Sequence, residues 1–413
     1  MKKLITILSR KMPATAALAT IVLTLGLGTV IRGSLPSAWR IFRIPALATT
    51  FSDTMTVTNS IDCLLSGQDP YVVRSFDPFQ RVYNYPPIWL DLRYLGITGR
   101  STNLLGAFMA LLLASSLLLL FSATRLDSGL IVFLAILSGP VLFAMERGNI
   151  DQVLFALLVF GFFMIERTRD SARIFCECTL IVVLTILKIF PIAAVVVLLK
   201  NRQRLLLAAL TVVVSVAALL VTCGQDLPKV FANTPRVTLA SFGGYTFFDA
   251  IGHAIHVLPV GLKINPRIAL IGSVALALLS IVAGLKYRTH LDKLLPPLDF
   301  FRARGCIAVS CLAIYIFVFL AGASFNYRLI FLLGVLGYLV EDIERTGTSR
   351  SLRPAIAIVC FCLIPFRLVL LRELLDGLIF CAACAWLSTQ LFDRIHARSD
   401  LPAGNLHSER FAI

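Results

Sequence analysis

The sequence predicts an all-α fold, a polytopic transmembrane bundle of about 10–12 spans, on three observations. Of its 413 residues, 58% are hydrophobic and only 15% charged, against about 45–50% and about 25% in ordinary soluble domains. Apolar runs near or above the roughly 18 residues that read as a membrane span recur from one end of the chain to the other. Lys and Arg collect in the short segments between those runs, where they set membrane orientation. The net charge of +15 is largely that orientation signal. No basic stripe with interleaved aromatics accompanies it, so nucleic acid is not an expected partner.

The first run, about 14–31, follows Lys2, Lys3, Arg10 and Lys11. Its length and the lack of a small-residue cleavage pattern after Arg32 make it an uncleaved anchor with its N-terminus inside. Further spans are expected at about 103–122, 128–145, 151–165, 205–223, 267–285, 305–322, 328–340, 353–370 and 374–391. The stretch 174–199 is flanked by basic clusters, Arg167 to Arg173 and Lys200 to Arg204. If both clusters lie inside, it must be a tight pair of short helices with Lys188 and Pro191 at the outer tip.

This layout leaves one domain, 1–395, and a short cytoplasmic tail, 396–413, expected to be disordered. It sends two long loops, 34–102 and 224–266, to the outer face with Glu146-Arg147-Gly148-Asn149, Lys188 and Asn326-Tyr327-Arg328. Charged or irregular backbone at membrane depth is tolerated chiefly where it lines a protein cavity. One extracytoplasmic site is the expectation.

In the first loop, Met55, Val57, Ile61, Leu64 and Leu65 are spaced as one face of a helix that Gly67 and Pro70 end. Asp53 and Asp62, nine residues apart, fall on opposite faces at about 100° per residue and do not form an acid–base pair. Ser52 and Asp53 also stand where a helix is capped. Asp69 and Asp77, each before proline, read as turn residues. Residues 84–89 should be extended ahead of Pro86 and Pro87, and Trp89 and Tyr94 suit an interfacial belt.

Metal and redox chemistry are not expected. Most of the ten cysteines lie in apolar runs, the Cys381/Cys384 pair has no second ligand pair, and His253 and His256 lack a third ligand. No metal and no cofactor are therefore predicted.

The order Asp53, Gly67-x-Asp69-Pro70-Tyr71, Tyr85-Pro86-Pro87, Gly148-Asn149, Leu187-Lys188-x-x-Pro191 and Tyr327-Arg328 resembles glycosyltransferase family 87 of the GT-C superfamily. The resemblance implies a GT-C bundle with extracytoplasmic juxtamembrane loop helices. It also implies transfer of a sugar, mannose first, from a polyprenyl-phosphate donor to a lipid or glycan acceptor at the outer face of the inner membrane. In the family pattern an aspartate about fourteen residues before the Gly-x-Asp-Pro-Tyr turn is the catalytic base, a role that falls to Asp53. A single displacement would invert the anomeric carbon.

Such a reaction needs a base for the acceptor hydroxyl and cations for the departing phosphate. Lys188, Arg328 and Arg147 are the donor-phosphate candidates. Asp62, Asp69, Tyr71, Tyr85, Asn149, Asp151 and Tyr245 are the expected cavity and acceptor residues. Plainer readings stand beside these: a snorkelling Lys188, an interfacial Arg328, and Asn149 or Asp151 as a helix cap. In Ser241-Phe242-Gly243-Gly244-Tyr245-Thr246-Phe247-Phe248 the glycines permit close backbone approach and the aromatics suit a sugar face. A secondary transporter or flippase is the rival reading, but no matched pair of Gly/Pro-broken segments appears in the two halves. A polysaccharide polymerase or ligase would place its long loop late in the chain.

Overall fold

A computed structural model of the protein describes residues 2–234, 240–259 and 262–396. The expected tail beyond His396 lies outside the described residues. The first half of the chain forms α1 (Lys2–Arg32), α2 (Leu35–Trp39), α3 (Ser52–Leu65), α4 (Thr102–Leu120), α5 (Leu126–Ile136), α6 (Gly139–Arg147), α7 (Asp151–Ile165) and α8 (Asp170–Leu187). The second half forms α9 (Leu205–Cys223), α10 (Leu227–Asn233), α11 (Gly244–Ala254), α12 (Pro266–Lys286), α13 (Arg288–Leu294), α14 (Ala303–Leu320), α15 (Phe331–Thr346), α16 (Ser349–Leu363) and α17 (Val369–His396). Two-residue strands, β1 (Ser241–Phe242) and β2 (Ser324–Phe325), pair antiparallel with Ser241 opposite Phe325 and Phe242 opposite Ser324. The fold is all-α and polytopic. Among the described residues, six helical stretches are long and apolar enough to cross a membrane, at Ser9–Arg32, Gly99–Leu120, Leu126–Arg147, Arg202–Cys223, Pro266–Lys286 and Ala303–Leu320.

Burial sorts these helices. Ala303–Leu320 is buried along most of its length, while α9 leaves Leu206, Leu210, Val213 and Val221 exposed and α12 leaves Leu270, Ile271, Leu278 and Leu279 exposed. Apolar faces of that extent are stable against lipid rather than water. Where helices meet, small residues bring them close: Gly334 sits under Cys311, Gly337 under Leu120 and Gly284 against Ala385. Hydroxyls within the apolar helices are satisfied locally, as Thr185 donates to Ile181 O and Ser273 to Ala269 O.

The basic segments gather at one end of the bundle. Lys11 Nζ donates to the carbonyls of Leu118 and Phe121 at 2.7 Å each, a cation on the carbonyl end of α4. Between the two basic clusters of 167–204, buried Glu177 receives Lys200 at 2.6 Å and Arg173 at 3.1 Å. Those contacts require the chain between them to double back. It does so at Lys188, whose extended backbone (φ −166, ψ 141) ends α8 before a 3-10 helix returns over Phe190–Leu198.

Three local expectations need correction. Neither Ser52 nor Asp53 caps α3: Phe51 is its N-cap, in the left-handed region at φ 60 with no side-chain cap bond. Instead Phe51 N donates to Glu146 O at 2.7 Å, which ties the loop to α6. Residues after Pro86 are not extended but form a 3-10 helix, Pro87–Leu95, because proline at its start pre-sets the helical φ. Trp89 is consequently buried rather than in an interfacial belt, and its Nε1 donates to Leu187 O at 3.0 Å. Finally, α16 stops at Leu363 and α17 already starts at Val369, since Pro365 interrupts the run that reads as continuous to 370.

Candidate active site

At the end opposite the basic segments, the junction between α6 and α7 organises the polar residues. Gly148 ends α6 in the left-handed conformation at φ 59, and a Cβ there would strike Thr54 Oγ1. That hydroxyl donates to Gly148 O at 2.6 Å, which pins α3 to the junction. Asp53 is thereby set beside Asn149, whose Nδ2 donates to Asp53 Oδ2 at 2.6 Å and to the Tyr85 hydroxyl at 3.3 Å. Asn149 Oδ1 in turn accepts from Asp151 N at 2.9 Å, so Asn149 ties the first residue of α7 to Asp53, while the N-cap of that helix is Ile150.

Asp151 is fully buried and carries two cations: Lys188 Nζ at 2.6 Å on Oδ1 and Arg328 Nε at 3.1 Å on Oδ2. Lys188 does not snorkel away. Its amine lies 5.2 Å from the Tyr85 ring centre and 5.4 Å from that of Phe190, inside the protein. Arg328 also donates to Ser324 Oγ at 2.8 Å. One carboxylate against two cations leaves a local excess of positive charge.

Two cavities meet here. The first, of about 480 Å³, is lined by Asp53, Arg74, Arg81, Asn84, Tyr85, Phe143, Arg147, Asn233, Phe325 and Tyr327, among others. The second, of about 270 Å³, is lined by Lys188, Phe190, Ser324 and Arg328. Asn84, Tyr85, Phe325 and Tyr327 belong to both. A carboxylate therefore opens onto one chamber and a cation pair onto the next, across an aromatic partition.

The other expected site residues divide. Arg147 is in the first chamber, not with Lys188 and Arg328: its Nε lies 3.3 Å from Glu146 Oε2 and its Nη1 donates to Ser52 Oγ at 3.0 Å. Asp62 lines neither chamber, because its Oδ2 accepts from Gly99 N at 3.0 Å on the far face of α3. Asp69 also lies outside both. Partial burial opposes its charge, but the backbone N–H of Tyr71 at 2.9 Å and Lys229 at 3.0 Å hold its carboxyl below the ordinary value. Tyr71 supports the wall from behind, donating to Tyr85 O at 3.0 Å. Tyr245 lies on a third cavity of about 350 Å³ with Ser273 and Arg267, which adjoins the second through Phe231, Thr234, Ala321 and Ala323.

The glycines beside Tyr245 serve the fold. Gly243 has φ 115 and packs on Gly322 O, where no Cβ fits, while its N–H donates to Asp376 Oδ2 at 3.2 Å. Phe242 stacks on Tyr315 and Phe247 packs on Phe248, so these aromatics face protein.

Arg81 is the contact that sequence reasoning missed. Its Nη1 lies 3.4 Å from Asp53 Oδ1, its Nη2 donates to Ser52 O at 2.7 Å, and it pairs with Asp77 at 2.9 Å. Asp77 is thus more than a turn residue: Oδ1 accepts from Phe79 N, and Oδ2 also accepts from Thr56. The spacing Asp77-x-x-x-Arg81 was the available signal, but in an irregular loop it has no periodicity to support it.

No curated protein and no solved structure matches the chain. The pattern of glycosyltransferase family 87 matches residues 83–314. That stretch includes Tyr85, Arg147, Asn149, Asp151 and Lys188, and stops short of Asp53 and Arg328. It covers more than half of the 413 residues, and the chain belongs to glycosyltransferase family 87.

Proposed function

We propose that this membrane glycosyltransferase moves a sugar, mannose first, from a polyprenyl-phosphate donor to a hydroxyl of a lipid or glycan acceptor, with Asp53 as general base. The observation that carries the reading is the pair of adjoining chambers, Asp53 on one and Lys188 with Arg328 on the other. The donor phosphate belongs with the two cations, whose charge-assisted bonds strengthen as the leaving group gains negative charge. The acceptor hydroxyl belongs beside Asp53, which removes its proton as the oxygen attacks the anomeric carbon. The C1–O bond to phosphate breaks, polyprenyl phosphate leaves as its own anion, and one displacement inverts C1. No separate acid is needed for such a leaving group.

Asn149 has a positioning role in this scheme. It orients Asp53 with one side-chain atom and accepts from the backbone N–H of Asp151 with the other. The basic end of the bundle faces the cytoplasm by the positive-inside rule, which sets the two chambers at the outer face of the inner membrane. Purified protein should transfer radiolabel from polyprenyl-phosphate-mannose to an extract of lipid and glycan acceptors, and anomeric analysis of the product should show inversion. Retention of configuration would contradict the single displacement.

A further inference from the structure

We propose that Asp376, in the last helix, is a positioning residue for the donor phosphate, acting on Arg328 through the β1–β2 pair. The inference rests on the reading of the second chamber as the donor-phosphate site. Asp376 is fully buried, and its carboxyl serves groups on two other segments: Oδ1 accepts from the Tyr315 hydroxyl at 2.6 Å and Oδ2 from Gly243 N at 3.2 Å. Arg372, one turn earlier on α17, makes no hydrogen bond through its guanidinium among the described residues and lies 4.7 Å from the Phe366 ring centre. Burying a carboxyl without an ion pair opposes folding. What the burial achieves is a fixed corner at Gly243.

The wall of the second chamber is attached to that corner. Gly243 follows β1 with φ 115 against Gly322 O, and Phe242 before it stacks on the Tyr315 ring at 6.1 Å. β1 pairs with β2, and Asn326 N donates to Ala240 O at 2.9 Å. β2 and the 3-10 turn after it, Asn326–Ile330, supply Ser324, Phe325, Tyr327 and Arg328 to the second chamber. Ser324 Oγ accepts from Arg328 Nη1 at 2.8 Å, so Arg328 has two anchors, Asp151 on α7 and the strand. Two-residue strands have little stability of their own, and what holds their ends sets their place. Asp376 holds the β1 end, and Arg328 is bonded to the β2 end. Without the carboxyl, Gly243 and β1 shift and β2 follows. The guanidinium then loses its aim, and its bonds to phosphate depend on direction.

The test is equilibrium binding of radiolabelled polyprenyl phosphate to the purified full-length protein in detergent, which needs no acceptor. Asp376→Ala should raise Kd roughly three- to ten-fold while the number of sites stays at the wild-type value. Asp376→Asn, which keeps an oxygen for Gly243 N, should bring Kd back toward wild type. Polyprenol, the same chain without its phosphate, should compete with one inhibition constant in wild type and Asp376→Ala. Arg328→Ala should raise Kd by itself, and adding Asp376→Ala to it should bring no further rise. An unchanged Kd with fewer sites overturns the proposal, because Asp376 then supports folding alone. So does a polyprenol constant that rises with Kd, or effects that multiply in the double variant. If Asp376→Ala does not fold, Tyr315→Phe decides: it keeps the stacked ring and removes only the hydroxyl on Asp376, and an unchanged Kd there overturns the proposal. An unchanged Kd in Arg328→Ala removes the donor-phosphate reading and the proposal with it. A rise in Arg328→Ala with none in Asp376→Ala removes the proposal alone.

Discussion

Asp151 and Arg328 show how single residues carry the site. Asp151 is fully buried between two cations, and removing one partner of a buried charge set costs about 3–5 kcal/mol because the others stay buried without it. Asp151→Asn should therefore lower stability by about that amount, read by chemical denaturation in detergent. In the proposed donor role, Arg328→Ala should raise the donor KM by roughly ten- to a hundred-fold while leaving the acceptor KM in place; steady-state kinetics with each substrate varied in turn checks this. Asp53, Asn149, Lys188 and Arg328 were legible in the sequence because each lies in a short motif at a span boundary. Arg74 and Arg81 were not, since residues 69–86 form an irregular loop whose contacts follow from tertiary folding. Asp62 and Asp69 were expected in the cavity, yet the nine-residue spacing already set Asp62 on the face opposite Asp53 and Pro70 marked Asp69 as a turn residue, and the fold leaves both outside the chambers.

At the scale of elements, the hairpin at Lys188 was readable from charge alone, because two flanking basic clusters cannot share an end unless the chain returns. The α6–α7 junction was readable as a break but not as a joint. Gly148 is needed there twice, for its φ of 59 and for the room that Thr54 occupies. Gly148→Ala should cost about 1–3 kcal/mol in backbone strain and should impair activity further by pushing α3, and with it Asp53, away from Asn149. Thermal unfolding together with kcat checks both halves. The β1–β2 pair was illegible: two-residue strands as far apart in the chain as Phe242 and Ser324 leave no period, and the Gly243-Gly244 motif resembled a ligand loop because close packing on Gly322 also demands glycine.

Taken whole, the molecule is a bundle with one end basic and the other bearing the chambers, and the sequence showed this polarity through the placement of Lys and Arg. The exposed positions Gln68 and Arg202 lie at opposite ends. With the exposed native thiol of Cys360 replaced by serine, cysteines placed at each should react with a membrane-impermeant maleimide from opposite sides of intact spheroplasts; labelling from one side would contradict the orientation. The proposed use of the two chambers turns on Asp53 as the base in the first, so the decisive measurement is transfer from polyprenyl-phosphate-mannose by Asp53→Asn. The variant keeps the shape of the side chain and should unfold at the wild-type temperature, yet lose about 10²–10⁴-fold in kcat with the donor KM retained. Wild-type kcat in a folded Asp53→Asn protein would contradict the role given to Asp53.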